Sequence, residues 1–313
     1  MRCEALADGI LLIQDCPHPA RNKTLSSELV RLGVKSLLVV ADDPTPCPLG
    51  LPGGLWCYVH PLVDPVGPSI YEQQRISDFV AYERKHGRTV GVWVADEQAR
   101  AKVCEAARRT PDSDLGKRVS PSRENSVCCR TYHPEGCDGH FVCHASPMDE
   151  AEPILCSGAI LSKRRLTGLS LRALANQGTW GDPPDYFDYV TLARGNCVAP
   201  DIVAMSRQAG RDLTPQQADA AFYPGIRFFF RTEQLTYHPL AAWDGIHPIK
   251  IRESLELDPF LVAAVAPAQT PASRTLLLQV PAHLSSRMIY LDHHQFASLA
   301  SWSDAALEAA LGA

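Results

Sequence analysis

Hydrophobic and polar positions follow two alternating periods in the first third of the chain, which predicts that strands and helices alternate there. Short apolar runs bounded by glycine or polar residues indicate buried strands, and segments with an apolar residue every three or four positions indicate helices. The predicted strands are 10–14, 36–40, 56–61 and 89–94, and the predicted helices are 26–32, 70–86 and 96–109. Continuous apolar strands that alternate with helices are typical of a largely parallel sheet covered on both faces.

The pattern changes near residue 110 and becomes richer in strands after residue 125. Residues 111–125 have almost no apolar content and are predicted to be a linker. Beyond it we predict strands at 140–144, 159–162, 186–192, 226–231, 259–266, 275–280 and 287–291, and helices at 149–156, 169–177, 202–208, 215–221 and 304–311. The expected architecture is therefore an α/β domain over 1–110, the linker, and an α+β domain over 126–313.

Composition narrows the class of protein. The 313 residues are 45% hydrophobic and 21% charged, which is enough apolar material for a sizeable core. The net charge of −5 gives no support for electrostatic binding to nucleic acid. The N-terminus lacks an apolar signal segment, and no apolar run reaches the roughly 18 residues of a membrane span. With eleven cysteines and no leader, we expect a reduced, cytoplasmic protein that has no membrane partner.

Common catalytic signatures are missing from the sequence. It has no Gly-rich dinucleotide fingerprint, no phosphate-loop Gly-x4-Gly-Lys-Ser/Thr, no Gly-x-Ser-x-Gly elbow and no His-Glu-x2-His. Four classes of enzyme are therefore not leading candidates for the function: Rossmann oxidoreductases, nucleoside triphosphatases, the common serine hydrolases and zinc proteases.

The order of elements over 10–109 resembles the dual-specificity and tyrosine phosphatase fold. The segment 32–38 (LGVKSLL) matches a Leu-Gly-φ-φ-x-φ-φ stretch of that family, and Asp64 stands where the resemblance implies a general acid. Family members then carry a phosphate loop, His-Cys-x5-Arg, that opens the next helix. The matching stretch here is 93–100 (WVADEQAR).

That phosphate loop departs from the family pattern. Val94 stands in the place of the cysteine nucleophile, and Asp96 and Glu97 put negative charge where a phosphate dianion would bind. Only Arg100 fits. The resemblance thus implies a catalytically inactive relative, a pseudophosphatase domain, and no phosphatase chemistry.

A second resemblance begins at His144. A strand that ends in Cys143-His144, a short helix containing 153–158 (PILCSG) and a strand over 159–162 (AILS) resemble the opening of the ADP-ribosyltransferase fold. The fold is meant broadly, including DNA-targeting ADP-ribosylating toxins and RNA 2′-phosphotransferases. The resemblance implies an NAD-dependent transferase of the glycosyltransferase kind that acts on a nucleotide ribose.

The same resemblance implies roles for individual residues. His144 would hydrogen-bond the nicotinamide ribose, and Glu256, with Glu253 as the substitute, would stabilise the positive charge that develops on the ribose as nicotinamide leaves. The expected cofactor-binding residues are His144, Ser162, Arg164, Arg165, Tyr186 and Tyr189, where the arginines would reach phosphate and the tyrosines would stack on nicotinamide. Pro259, close to the expected catalytic strand, departs from the pattern and puts the catalytic Glu in doubt.

A zinc site in the same window is the competing interpretation. Cys137-x2-His140 and His140-x2-Cys143 have the spacing of a ligand pair, with Cys128 and His133 nearby. A structural zinc site needs two such pairs, and no second pair follows downstream. Zinc is therefore not favoured, and no metal ligand is assigned.

Three smaller patterns remain. Cys143 or Cys197 beside a histidine would make a thiol nucleophile. His293 and His294 are adjacent and are expected to face opposite ways on a strand. Strand 226–231 (IRFFFR) carries Arg227, Phe229 and Arg231 on one face. This face either binds an anion or belongs to an exposed edge strand.

The leading interpretation is a two-domain protein that uses NAD as a substrate for ADP-ribosyl transfer, with a nucleotide as its small-molecule ligand and an unidentified acceptor. The rival is a non-enzymatic binding or regulatory protein, in which the inactive phosphatase-like domain recognises a partner.

Overall fold

The structure is a computed structural model that describes residues 1–41, 50–62, 66–85, 87–109, 139–174, 186–220, 222–242, 247–268, 270–271 and 280–312. The predicted linker, most of the predicted strand 275–280, Asp64, Cys128, His133 and Cys137 lie outside the described residues.

The strands are β1 (Arg2–Ala7), β2 (Ile10–Gln14), β3 (Val34–Ala41), β4 (Gly50–Leu51), β5 (Leu55–Pro61), β6 (Thr89–Val94), β7 (Phe141–Ser146), β8 (Ala159–Leu161), β9 (Tyr189–Arg194), β10 (Ile226–Arg231), β11 (Ala241–Ala242), β12 (Ile249–Arg252), β13 (Ser254–Glu256), β14 (Leu261–Pro267) and β15 (Met288–Leu291). The α-helices are α1 (Lys23–Arg31), α2 (Ile70–Lys85), α3 (Glu97–Arg108), α4 (Met148–Ser157), α5 (Lys163–Thr167), α6 (Leu171–Leu174), α7 (Ala199–Ala209), α8 (Pro215–Ala220), α9 (Thr232–Thr236), α10 (Ala282–Ser285) and α11 (Leu299–Leu311).

The chain divides into two compact units, each built from separate stretches of sequence. Unit 1 comprises Met1–Pro121, Ser162–Tyr189 and Thr236–Glu253, and unit 2 comprises Ser122–Leu161, Val190–Leu235 and Ser254–Ala313. The sequence-based boundary at 111–125 falls outside the described residues and stays a prediction.

Unit 1 contains a six-stranded sheet in the order β1-β2-β6-β3-β5-β4. The four inner strands run parallel, as the alternating pattern predicts, whereas β1 and β4 pair antiparallel at the two edges. The inner strands are apolar on both faces, and Leu37, Val39, Cys57 and Val59 belong to their common core. β1, with its mostly exposed residues, carries no such signal.

Unit 2 contains strands in the order β9-β7-β10-β14-β15. β7, β9, β10 and β14 pair antiparallel, and β15 is parallel to β14. The sheet is therefore mixed, and the chain is an α/β protein with mixed sheets. Separately, β8 and β13 pair as a two-stranded ribbon.

Helix α11 covers one face of the unit 2 sheet. Its fully buried Trp302 packs with Phe141, Cys143 and Phe229. The helix begins at Leu299, five residues before the predicted start, because the Ser298 side chain accepts a hydrogen bond from the main-chain N–H of Ser301 in a capping box.

Other boundaries differ from the predictions for local reasons. The predicted strand 186–192 begins only at Tyr189, since 186–188 form a short 3-10 helix. The helix predicted over 169–177 is Leu171–Leu174 in the described part of the chain. Pro259 lies in the turn before β14, so that strand begins after it, at Leu261. No helix within the described ranges is long and apolar enough to cross a membrane.

Candidate functional site

His144 lies on β7, on the strand face opposite to Cys143 and α11. Its side chain is half-buried, and its Nδ1 lies 3.2 Å from the main-chain oxygen of Thr191 on the adjacent strand β9. A carbonyl oxygen can only accept, so Nδ1 carries the proton and Nε2 carries the lone pair. Among the described residues no hydrogen bond reaches Nε2.

The surroundings of His144 keep its ring neutral. Burial lowers the pKa of His144 from 6.5 to about 4, the Thr191 carbonyl opposes that effect, and the positive charge of Arg207 adds to it. At neutral pH the ring therefore presents one fixed acceptor nitrogen. A sugar hydroxyl is a fitting donor for such a nitrogen.

An ion pair next to this histidine joins two helices. Arg207 on α7 donates to the carboxylate of Glu150 on α4, and both side chains are partly exposed. Burial raises the pKa of Glu150, and the Arg207 charge partly offsets the rise. The guanidinium is a cation to which an anionic group near His144 could bind.

Glu256, the expected catalytic acid, is the last residue of β13, opposite Ala159 of β8. Its side chain is exposed and accepts a hydrogen bond from the Ser254 hydroxyl at 3.1 Å. In the described residues no hydrogen bond or ion pair links it to His144. Glu256 therefore lies on the ribbon that precedes β14, five residues before that strand begins.

Glu253, the alternative acid, is held by its own contacts in unit 1. Its main chain adopts a positive φ of 62°. Its N–H donates to the Asp188 carbonyl, its carbonyl accepts from the Ser162 N–H at 2.7 Å, and its carboxylate pairs with Arg165 at 3.0 Å. These bonds fix a turn, and they engage the carboxylate with a cation that was expected to bind phosphate.

The second expected phosphate-binding arginine is also engaged by a carboxylate. Arg164 donates to one oxygen of Asp188 at 2.9 Å, and Arg252 donates to the other at 3.0 Å. Asp188 is buried, so two cations compensate one buried carboxylate. Ser162 is the N-cap of α5, and its hydroxyl accepts from the Arg165 N–H.

The two tyrosines expected to stack on nicotinamide differ in exposure. Tyr186 is half-buried, with its ring edge-on to Phe187 and tilted against His247. Tyr189 is buried, and the ammonium of Lys250 lies 4.1 Å from its ring centroid. One ring face of Tyr189 is thus covered by a cation of the protein itself.

The phosphatase-like segment has no open anion site at the start of α3. Asp96 is the N-cap of that helix, and its carboxylate accepts from the N–H groups of Gln98 and Ala99 at 2.6 and 3.0 Å. Arg100 lies 3.6 Å from the Glu97 carboxylate, and Val94 is buried. The N–H groups at the start of this helix, which could otherwise hold an anion, are already bonded by a carboxylate of the chain.

The structure corrects both sequence interpretations of strand 226–231. β10 is a central strand, not an edge, and Arg227 is fully buried in an ion pair with Asp201 at 3.4 Å. Its guanidinium also donates to the Cys197 carbonyl at 2.5 Å. Arg227 therefore holds the core of unit 2 together and is closed to an outside anion, whereas Arg231 is exposed.

Cys143 belongs to the same buried cluster. It receives a hydrogen bond from Arg227 at 3.3 Å, and its thiol donates to the Arg194 carbonyl at 3.4 Å. Burial raises the pKa of the Cys143 thiol to about 12, so the thiolate needed for nucleophilic attack or zinc binding is disfavoured.

The structure brings together Asp292, His293 and His294, a cluster that the sequence pattern did not predict. His293 and His294 were expected to face apart on a strand, but they lie in a 3-10 helix with ring centroids 4.0 Å apart. The preceding Asp292 caps that helix by accepting from the His294 N–H at 3.2 Å. An Asp followed directly by two histidines after a predicted strand was the sequence signal for this turn.

Comparison with known proteins identifies no relative: no family model, no curated protein and no solved structure matches this chain.

Proposed function

We propose that unit 2 binds NAD through His144 and transfers its ADP-ribosyl group to an acceptor, with release of nicotinamide. The observation that carries the proposal is the fixed, neutral state of His144, whose Nδ1–H is bonded to Thr191 while Nε2 is left as an acceptor. This state matches the role that the ADP-ribosyltransferase resemblance implies for the residue.

The neutral ring suits the chemistry. When the bond between the ribose C1′ and nicotinamide breaks, its electron pair leaves with nicotinamide and positive charge develops on the ribose. An imidazolium at that place would oppose this charge. A neutral imidazole accepts a hydrogen bond from a ribose hydroxyl and orients the sugar without that penalty.

Glu256 is the proposed carboxylate that stabilises the ribosyl cation. The Ser254 hydroxyl, 3.1 Å away, supports the carboxylate on the solvent side of β13. The acceptor nucleophile then forms a bond to C1′ and loses its proton. Protein, nucleic acid, small molecules and water are the acceptor classes to be compared in the assay.

The capped start of α3 favours a second, non-catalytic role for the 1–109 region. Since Asp96 occupies the N–H groups of the phosphatase-like loop, this part of unit 1 is better suited to recognising a partner than to phosphate chemistry. That role would survive even if unit 2 proved not to use NAD.

Calorimetric titration with NAD tests the proposal. In His144→Asn the side-chain amide can still donate to Thr191, but the acceptor at the Nε2 position is gone. His144→Gln reaches the Nε2 position but loses the Thr191 anchor. We expect NAD to bind the wild type and to bind His144→Asn at least about tenfold more weakly, which is the effect of losing about 1.4 kcal/mol. Absence of NAD binding to the folded wild type would refute the proposal.

A further inference from the structure

The carboxyl end of β15 carries three potential metal ligands in one turn. One ligand atom each from Asp292, His293 and His294 lie within 4.8 Å of one another. The turn lies in unit 2 and shares no residue with the proposed NAD site around His144.

The inner histidine of this turn has an unpartnered nitrogen. His293 is only 4% exposed, and its Nδ1 has no hydrogen-bond partner in the described residues. Buried polar atoms are nearly always satisfied, so an orphaned nitrogen on a histidine whose ring lies 4.0 Å from that of His294 points to a missing ligand. A bound cation would supply the interaction that this nitrogen lacks.

Two aromatic rings pack against the inner histidine of the turn, and the other two residues of the turn are more exposed. Phe222 and Tyr223 contact the His293 ring, with centroids 6.1 and 5.8 Å away, and fix its plane. His294 is exposed and Asp292 half-buried, so the site opens to solvent on one side.

We propose that Asp292, His293 and His294 bind one divalent transition-metal ion, with zinc the best-fitting ion. Zinc accepts imidazole nitrogen and carboxylate oxygen together, whereas calcium and magnesium prefer ligand sets made of oxygen alone. Tetrahedral zinc with ligands at about 2.0–2.2 Å needs ligand atoms about 3.4 Å apart, so binding would draw the three ligand atoms closer together. The fourth position would face water.

Zinc titration of metal-stripped protein by calorimetry, together with melting temperatures, tests this site. His294→Gln removes an exposed ligand, and Asp292→Asn keeps a capping side chain but removes the charge. His283→Gln, at another exposed histidine on α10, is the matched control. We expect about one equivalent of zinc, a higher melting temperature with zinc, and at least about tenfold weaker binding in both ligand variants but not in the control.

Three results of the zinc titrations would overturn the proposal: no saturable zinc binding to folded protein, unchanged binding in both ligand variants, or binding that is lost in Cys137→Ser and kept in His294→Gln. The last result would place zinc in the cysteine-rich segment. Imidazole ¹⁵N shifts of His293 on zinc addition give a readout that does not depend on stability, and unchanged shifts at saturating zinc would also contradict the proposal.

Discussion

The main-chain carbonyl of Thr191 accepts a hydrogen bond from Nδ1 of His144 across two neighbouring strands, β9 and β7, at 3.2 Å. A backbone partner cannot rotate away or change its protonation state. The tautomer and orientation of His144 are therefore set by the sheet itself, before any ligand binds.

The depressed pKa of His144 predicts a pH-dependent stability. The ring titrates at about 4 when folded and near 6.5 when unfolded, so the unfolded chain takes up the proton more readily between these values. The contribution of His144 to stability is complete above pH 6.5 and is lost as the pH falls through 4. A pKa difference of this size corresponds to at most about 3 kcal/mol in the free energy of unfolding.

Urea denaturation between pH 4 and pH 7 measures this dependence. We expect the free energy of unfolding to fall more steeply with decreasing pH in the wild type than in His144→Asn, which has no titrating ring. Identical slopes would show that His144 is not held neutral in the folded state.

The buried pair of Arg227 and Asp201 predicts a large stability effect. Each side chain is fully buried, so removing one partner leaves an uncompensated charge in the core. Asp201→Asn or Arg227→Met should each lower the free energy of unfolding by roughly 3–5 kcal/mol. Chemical denaturation checks both values.

The double variant Asp201→Asn/Arg227→Met is the control for that prediction, since it leaves no unpaired charge. Its loss of stability should be smaller than the sum of the two single losses. Additive losses would mean that the two side chains do not interact. Arg109→Gln removes an exposed ion pair with Glu105 and serves as a comparison. It should change the free energy of unfolding by less than about 1 kcal/mol.

The capped loop before α3 predicts that the chain hydrolyses no aryl phosphate and that Val94→Cys does not create this activity. A new thiol there would still lack free N–H groups, because the Asp96 carboxylate holds them. Asp96→Ala should instead cost about 1 kcal/mol of stability through loss of the cap. A colorimetric phosphate assay checks the first expectation, and turnover that disappears in Arg100→Ala would contradict it.

Local signals in the sequence were sufficient for much of the secondary structure. The strands 10–14, 89–94 and 226–231 are confirmed with their bounds, because each is a short apolar or aromatic run between polar residues. Helix α4 ends at Ser157, one residue after the predicted end, because Gly158 adopts the left-handed conformation and closes the helix. β1 was missed because an exposed edge strand needs no apolar pattern.

Long-range pairing could not be foreseen in the same way. The Arg-Phe-Phe-Phe-Arg run looked like a surface face, yet Arg227 is buried because Asp201, 26 residues earlier in the chain, meets it in the core. The alternation of residues along a strand predicts which side chains share a face, but it does not predict which other element of the fold covers that face. His293 and His294 likewise depended on a turn geometry set by the Asp292 cap.

Nicotinamide release from NAD by the wild type and by Glu256→Gln tests the proposed function most directly. The glutamine keeps the shape of the side chain but removes the charge that stabilises the ribosyl cation. We predict release by the wild type and a loss of at least about a hundredfold in Glu256→Gln, because such a group commonly contributes around 3 kcal/mol. Glu253→Gln, whose carboxylate pairs with Arg165, should keep most of the activity. No release by folded wild-type protein, or full activity in Glu256→Gln, would contradict the proposed catalytic role.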